Sequence, residues 1–280
     1  MEIGVGLPTA VIPAPGRELL DWARTAEESG FASLSVGDRL VWPGIEPLVA
    51  LAAAAAVTRR IRLAAEVIVA PLRGVALLAE QTAAVHHLSG GRLVLGVAAG
   101  IRTDDYALAG AGYGDRGRRL DDLLDRLRAH WRDGRLGPPA DPPPAVLVGG
   151  RTEAALQRMA RHGDGTVIVA PPPAFAARAA RARQVWQEHG RPGAPRLVAH
   201  AYYALGPDAG QLAGAHLTSY YGFLGPMARM FADSALTSPE GVVAAAEAYR
   251  EAGADEFVLV PCGSAGDQLS LLADVVDKLA

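Results

Sequence analysis

Four groups of residues in this 280-residue chain could carry chemistry. Glu66 is a carboxylate inside the otherwise apolar run Ile61 to Ala70. Turned inward near a strand end, it accepts a hydrogen bond from a ligand, pairs with a neighbouring arginine, or forms an ion pair with no chemical duty. Asp38-Arg39 closes a second apolar run and sets a proton acceptor beside a permanent cation. His200 lies in the strand-like stretch Arg196 to Leu205, where an imidazole serves as general acid and base or as a satisfied core group. Gly149-Gly150-Arg151-Thr152 follows a buried strand and opens a helix. Free backbone N–H groups and the helix dipole favour an anion there, with the Arg151 guanidinium and the Thr152 hydroxyl as further donors; an ordinary helix cap is the plainer reading. No GxSxG, HExxH, P-loop or paired catalytic carboxylates occur, so neither a nucleophilic triad nor a metal centre is expected. Chemistry brought by an organic cofactor is the economical alternative.

These residues must be positioned by repeating elements. Glu2 to Leu7 reads as a first strand, stopped by Pro8, and Phe31 to Val36 as a second. Ile61 to Ala70 and Leu93 to Val97 follow as buried strands flanking a helix from Gly74 to Leu88, whose positions Leu77, Leu78, Val85 and Leu88 are expected to face inward. The pattern continues through Ala145 to Val148, Gly165 to Ala170, Arg196 to Leu205 and Glu256 to Val260, each followed by a helix, the last from Asp267 to Leu279. Strict alternation of eight strands with eight helices predicts an α/β fold, a closed (β/α)8 barrel of the TIM type, as one domain over residues 1–280. Ligands of such barrels sit at the C-terminal strand ends, which gathers Thr9, Asp38, Arg39, Glu66, Val67, Ala99, Gly100, Arg102, the Gly149 to Thr152 turn and Tyr202 at one rim. Tyr221 and Phe223, with Tyr220 and Met227, are expected to line an apolar pocket beneath a lid or extra helix in the insertion Gly222 to Ser238 after strand seven. A bulky residue at Gly150 is expected to hinder phosphate binding while sparing the fold.

Composition excludes other classes. The net charge is −3 and no dense basic run occurs, so a nucleic-acid surface is not expected. The single cysteine, Cys262, offers no intramolecular disulfide, and no apolar segment is long enough for a membrane span. The chain begins with a strand-like run instead of a signal peptide, and a cytoplasmic location is expected.

Three segments carry a family resemblance: APLRGVALLAEQTAAVHHLSGGRLVLGVAAG, VLVGGRTEAALQRMARHGDG and SPEGVVAAAEAYREAGADEFVLVP. Together they resemble the bacterial-luciferase-like flavin-dependent oxidoreductases, in the right order and across the whole chain. The resemblance implies a barrel with insertions, often a homodimer, that binds FMN or the deazaflavin coenzyme F420 at its rim. It also implies a non-proline cis peptide at Glu66–Val67 beneath the flavin ring. A two-component monooxygenase is the first expectation, acting on a small organic substrate with oxygen and reduced FMN from a separate flavin reductase. Asp38, Arg39 and His200 would then orient substrate or move protons. Thr9, Tyr202, Tyr221 and Phe223 would line the substrate pocket. An F420-dependent hydride-transfer enzyme is the alternative, and a redox-inactive barrel acting as a binding protein or non-redox catalyst is the third. The chain departs from family patterns at Ala99, where some members carry an arginine for the FMN phosphate. Ile101 replaces a carboxylate of some deazaflavin members, and Asp38-Arg39 replaces their Asp-His pair. Arg102 with the Gly149 to Thr152 turn is the expected replacement set.

Overall fold

Each strand-like run of the sequence becomes a strand, and each strand hydrogen-bonds to the next in parallel. The computed structural model describes residues 1–13, 16–133, 136–264 and 266–278. The strands are β1 (Glu2–Gly6), β2 (Ser33–Val36), β3 (Arg62–Val69), β4 (Leu93–Ala98), β5 (Ala145–Gly149), β6 (Gly165–Ile168), β7 (Arg196–Tyr203) and β8 (Glu256–Pro261). The pairing of β8 with β1 closes the cylinder, as the alternation predicts, so no sheet edge is left open. The helices are α1 (Glu18–Glu28), α2 (Pro47–Val57), α3 (Val75–Leu88), α4 (Thr103–Leu108), α5 (Arg116–Asp133), α6 (Glu153–His162), α7 (Pro172–Glu188), α8 (Ala209–Tyr220), α9 (Ala228–Asp233), α10 (Pro239–Glu251) and α11 (Gly266–Val276). Leu279, the expected end of the last helix, lies outside the described residues. Among the described residues no helix is long and apolar enough to cross a membrane.

The core has two parts, as a barrel requires. Val67, Val94, Leu147, Val167, Val198, Val258 and Val260 form one cluster of β-branched and aliphatic strand residues, while the larger cluster lies between strands and helices. Helix α5 shows how the outer layer is specified. Leu120, Leu123, Leu124, Leu127 and Trp131 recur at helical spacing and all are buried, while the arginines and aspartates between them fill the other faces. Each such leucine contributes roughly 1.5–3 kcal/mol by leaving water. Helix α10 begins where expected, with the Ser238 hydroxyl accepting from the Gly241 N–H at 3.1 Å.

One expectation is corrected: of the four positions of α3 expected to face inward, Leu78 and Val85 are buried but Leu77 and Leu88 are not. Leu77 and Leu88 are 58% and 66% exposed. They lie eleven positions apart, hence on one helical stripe, and the barrel is covered instead by Leu78, Ala79, Ala83 and Val85. The segment after β4 forms a short helix, α4, whose polar TDDYAL sequence gives no apolar periodicity. The insertion after α8 is a kinked 3-10 turn, Gly222–Met227, running into α9, and a bridge from Tyr203 to Leu236 ties it back to β7.

The lower end of the cylinder is sealed by charge. Glu256 is buried at the base and meets Ser33, Arg62 and Arg196, while Glu2 meets the same two arginines. Burial alone would raise the Glu2 carboxyl, but hydrogen bonds from Arg62 and Arg196 outweigh it and bring its pKa down to about 2. A carboxyl lowered from 4.5 to about 2 on folding stabilises the native state above its unfolded value, and that contribution is lost as pH falls between the two. Melting temperatures of the wild type are therefore expected to fall more steeply than those of Glu2→Gln between pH 4.5 and about 2, with parallel curves contradicting the assignment.

Candidate active site

The C-terminal ends of the strands open onto a cavity of about 570 Å³, within the size range of cofactor sites. The site residues expected from the sequence line it except Thr9 and Met227, the latter being exposed on the surface. Thr9 instead lines an adjoining cavity of about 60 Å³, whose wall includes Glu66, His200, Tyr202 and Tyr220. Thr9 lies in the loop after β1, its N–H donating to the Leu7 carbonyl and its carbonyl accepting from the Ile45 N–H.

At the floor, His200 Nε2 lies 2.7 Å from Glu66 Oε2. Glu66 comes from β3 and His200 from β7, so the contact crosses the barrel. The Glu66 side chain is 1% exposed, where an unpartnered carboxylate would be costly. Its partner is thus an imidazole, not one of the arginines. The Glu66–Val67 peptide is cis, as the resemblance implies, and the β3–β4 register shifts between Ala65 and Ile68. The end of β3 is held by Asp38, whose Oδ2 accepts from the Val69 N–H at 3.0 Å and from Arg73 Nη2 at 3.0 Å. Asp38 therefore faces the cavity with one oxygen already engaged.

The β4 side is built by close backbone approach. Gly100 has φ +71°, and a Cβ there would stand 2.6 Å from Val69 Cγ1. The Tyr106 hydroxyl donates to the Ala99 carbonyl at 2.6 Å, and Arg116 Nε donates to the Gly100 carbonyl at 3.2 Å. Arg102 is 9% exposed, contacts Asp104, and reaches Asp105 at 3.4 Å through Nε. Its buried Nη1 has no hydrogen-bond partner. Asp105 has a structural task, accepting from the Val41 N–H at 2.7 Å.

The β5 side ends in the Gly149 to Thr152 turn. Thr152 occupies the N-cap of α6, but its side chain caps nothing, so first-turn N–H groups face outward without a side-chain acceptor. Arg178 on α7 braces the turn, donating to the carbonyls of Gly150 at 2.9 Å and Thr152 at 2.8 Å. Gly150 has φ +140°, and a Cβ would stand 2.8 Å from that of Ala155. A bulky residue there would strain the turn itself, so Gly150 does not separate phosphate binding from folding as expected. Thr152, whose side chain makes no cap hydrogen bond, does.

The roof is aromatic. The Tyr202 and Tyr221 hydroxyls are 2.7 Å apart, and Tyr221 stacks on Phe231 with centroids 3.9 Å apart. Burial raises the hydroxyl pKa values of Tyr202, Tyr220 and Tyr221, so all three stay neutral near pH 7. Beneath them His216 stacks on Tyr220, and burial brings its pKa down to about 4, which leaves it neutral as well. Cys262 is buried and its thiol is pushed up to about 12, which removes it as a nucleophile. His216, Arg116, Arg158 and Arg178 escaped sequence reading because they lie within helices, where charge spacing resembles that of any solvated face.

A family model described as luciferase-like monooxygenase matches residues 1–275. Protein Rv0953c of Mycobacterium tuberculosis is 34% identical over 171 residues, a segment spanning 55% of this chain and 61% of that relative. Among solved structures, the monooxygenase RslO1 from Streptomyces bottropensis aligns over all of both chains with a TM-score of 0.79 at 19% identity. An F420-dependent secondary alcohol dehydrogenase, solved with an F420-acetone adduct, aligns equally completely with a TM-score of 0.82 at 17% identity. The structural likenesses establish the fold.

The Gly100 geometry gives a direct test. Gly100→Ala is expected to cost about 1–3 kcal/mol of stability, from positive φ and from the Val69 contact. The double variant with Val69→Ala should recover only the steric part, read from chemical denaturation; a neutral single variant would contradict the close approach.

Proposed function

The chain belongs to the luciferase-like monooxygenase family, and from that premise we propose that it is a flavin-dependent oxidoreductase using reduced FMN and oxygen on a small organic substrate. The reduced flavin would be delivered by a separate reductase. The observation that carries this reading is the meeting of three features in one cavity: the Glu66–His200 pair, the free buried Nη1 of Arg102 and the uncapped start of α6.

The residues present fit a flavin. Val67, Ala98 and Gly149 present small apolar surface at the strand ends, and a Cβ on Gly149 would press to 3.0 Å from Val67. Thr152, Arg151 and the first N–H groups of α6 would receive a phosphate, with Arg102 adding a charged donor. Bound reduced flavin supplies electrons for oxygen activation. The chain supplies the surroundings. Tyr202, Tyr221 and Phe223 exclude water from the floor of the cavity. His200, oriented by Glu66, is placed to hold or pass a proton at Nε2 or through its other ring nitrogen. Asp38 and Arg39 border the same space and orient the substrate.

A second reading, a deazaflavin-dependent hydride-transfer enzyme, has its own support. Arg116 and Arg151 line the cavity, and neither has a carboxylate within ion-pair distance among the described residues, which suits a longer anionic tail.

Fluorescence titration with FMN and coenzyme F420, each oxidised and reduced, separates the readings. FMN is expected to bind with roughly micromolar or better affinity. Arg102→Met should weaken it by about tenfold or more, with some loss of melting temperature because the buried Asp105 carboxylate loses its ion pair, and Thr152→Ala by several-fold at unchanged melting temperature. Binding of F420 alone would favour the second reading, and binding of neither would leave a redox-inactive barrel.

A further inference from the structure

Arg39 is a cation without a counter-ion. No carboxylate lies within ion-pair distance of it among the described residues, although it lines the main cavity. It also lines a neighbouring cavity of about 250 Å³ shared with Asp38, Trp42 and Arg73. Its guanidinium carbon is 4.1 Å from the ring centroid of Trp42, 4.8 Å from that of Tyr220 and 5.8 Å from that of Phe223. Nη1 donates to the Tyr220 carbonyl, while Nε is buried with no partner. Aromatic faces offset part of the desolvation of a cation but provide no oxygen or nitrogen acceptor in the plane of the guanidinium. Asp38 does not fill that role: its carboxylate is held by Arg73 and the Val69 N–H and lies outside ion-pair distance of Arg39. Burial, followed by the nearby charge of Arg102, lowers the proton affinity of Arg39, and the more distant carboxylates of Asp105 and Asp104 offset this only in part.

Cofactor phosphate is the wrong anion for this position. The start of α6, where the proposed phosphate anchorage is centred, follows β5, three strands from β2, which Arg39 follows; of the anchorage only Arg102 comes near Arg39. Resting on the flavin reading, we propose that the substrate is a planar organic carboxylate, its carboxylate held by Arg39 where the two cavities meet and its ring lying against Tyr220 and Phe223, which line the main cavity. The guanidinium fork meets a carboxylate in one plane, and the rings around it select a flat, apolar body over an aliphatic chain. Phe223 is half-exposed and lies over Arg102 at 4.2 Å, so an entering ring has an aromatic edge to pack against.

Titration calorimetry with cinnamate and its neutral isostere cinnamamide, on FMN-loaded protein, tests this. Cinnamate should bind at least about tenfold more tightly, with the preference shrinking as salt is raised. Arg39→Gln should abolish the preference, Arg39→Lys should keep part of it, and FMN affinity should stay within about twofold of wild type in both. Circular dichroism melts confirm that each variant is folded. Equal binding of acid and amide, or binding of neither by loaded protein, overturns the proposal. So does a loss of FMN affinity in Arg39→Gln as large as that in Arg102→Met, which would assign Arg39 to the cofactor. If FMN does not bind, the same pair is titrated on unloaded protein: a surviving acid preference keeps the carboxylate site and retires the flavin reading alone, and its absence retires both.

Discussion

The contact between Glu66 and His200 sets the upper limit of the barrel core. Below it the strands fill the cylinder with valines and leucines, and above it the cavity begins. A carboxylate at that depth is tolerated only with a partner, and the partner comes from the opposite wall. This pins β3 to β7 across the cavity floor. It also fixes where Val67 and Val69 lie, and so which atoms Asp38 and Gly100 meet at the rim. The site is therefore not a set of loops added to a finished barrel. Its floor is the last polar layer of the barrel itself.

The two ends of the cylinder use charge in opposite ways. At the base, Arg62 and Arg196 are matched against Glu2 and Glu256, a closed network that has no acceptor to spare. At the rim, Arg39, Arg116 and Arg151 lack such partners among the described residues, although the whole chain carries a net charge of −3. A compensated base stabilises the native state, and an uncompensated rim recruits anions. Arg158 shows the difference within one cavity: it lines the wall but is committed to Asp121 at 2.7 Å, so it shapes the site without being available to a ligand.

The fold was legible in the sequence because barrel strands buried on both faces announce themselves as short apolar runs, and because each is followed by a helix with its own stop signal. Most of the rim was legible for the same reason, since a residue at a strand end needs no further information to be placed there. What the sequence could not show were relations between distant positions. Glu66 and His200 are 134 residues apart, and nothing local pairs them. Nor does any local signal say that Arg178 braces a turn preceding a different helix, or that Thr9 lines a smaller cavity beside the one it was expected to line. Leu77 and Leu88 fit a helical period, but a period fixes only which residues share a stripe. It does not say which of two apolar stripes faces the barrel.

The roof explains why such a site can host demanding chemistry on so common a scaffold. Tyr202 and Tyr221 satisfy each other's hydroxyls, and Phe231 covers Tyr221 from the other side. Burial keeps these phenols neutral, so the roof adds no charge above the Glu66–His200 pair and draws in no counter-ion with its water. Tyr221 and Phe231 come from the short insertion region between α8 and α10, and Tyr202 comes from β7, so one rigid strand and one kinked segment share the cover. Gly225, at φ +58°, lets the chain reverse within that segment and brings Phe223 back over Arg102. The margin of the cavity is thus where aromatic faces meet guanidinium groups without carboxylate partners among the described residues, while the polar floor is the Glu66–His200 pair.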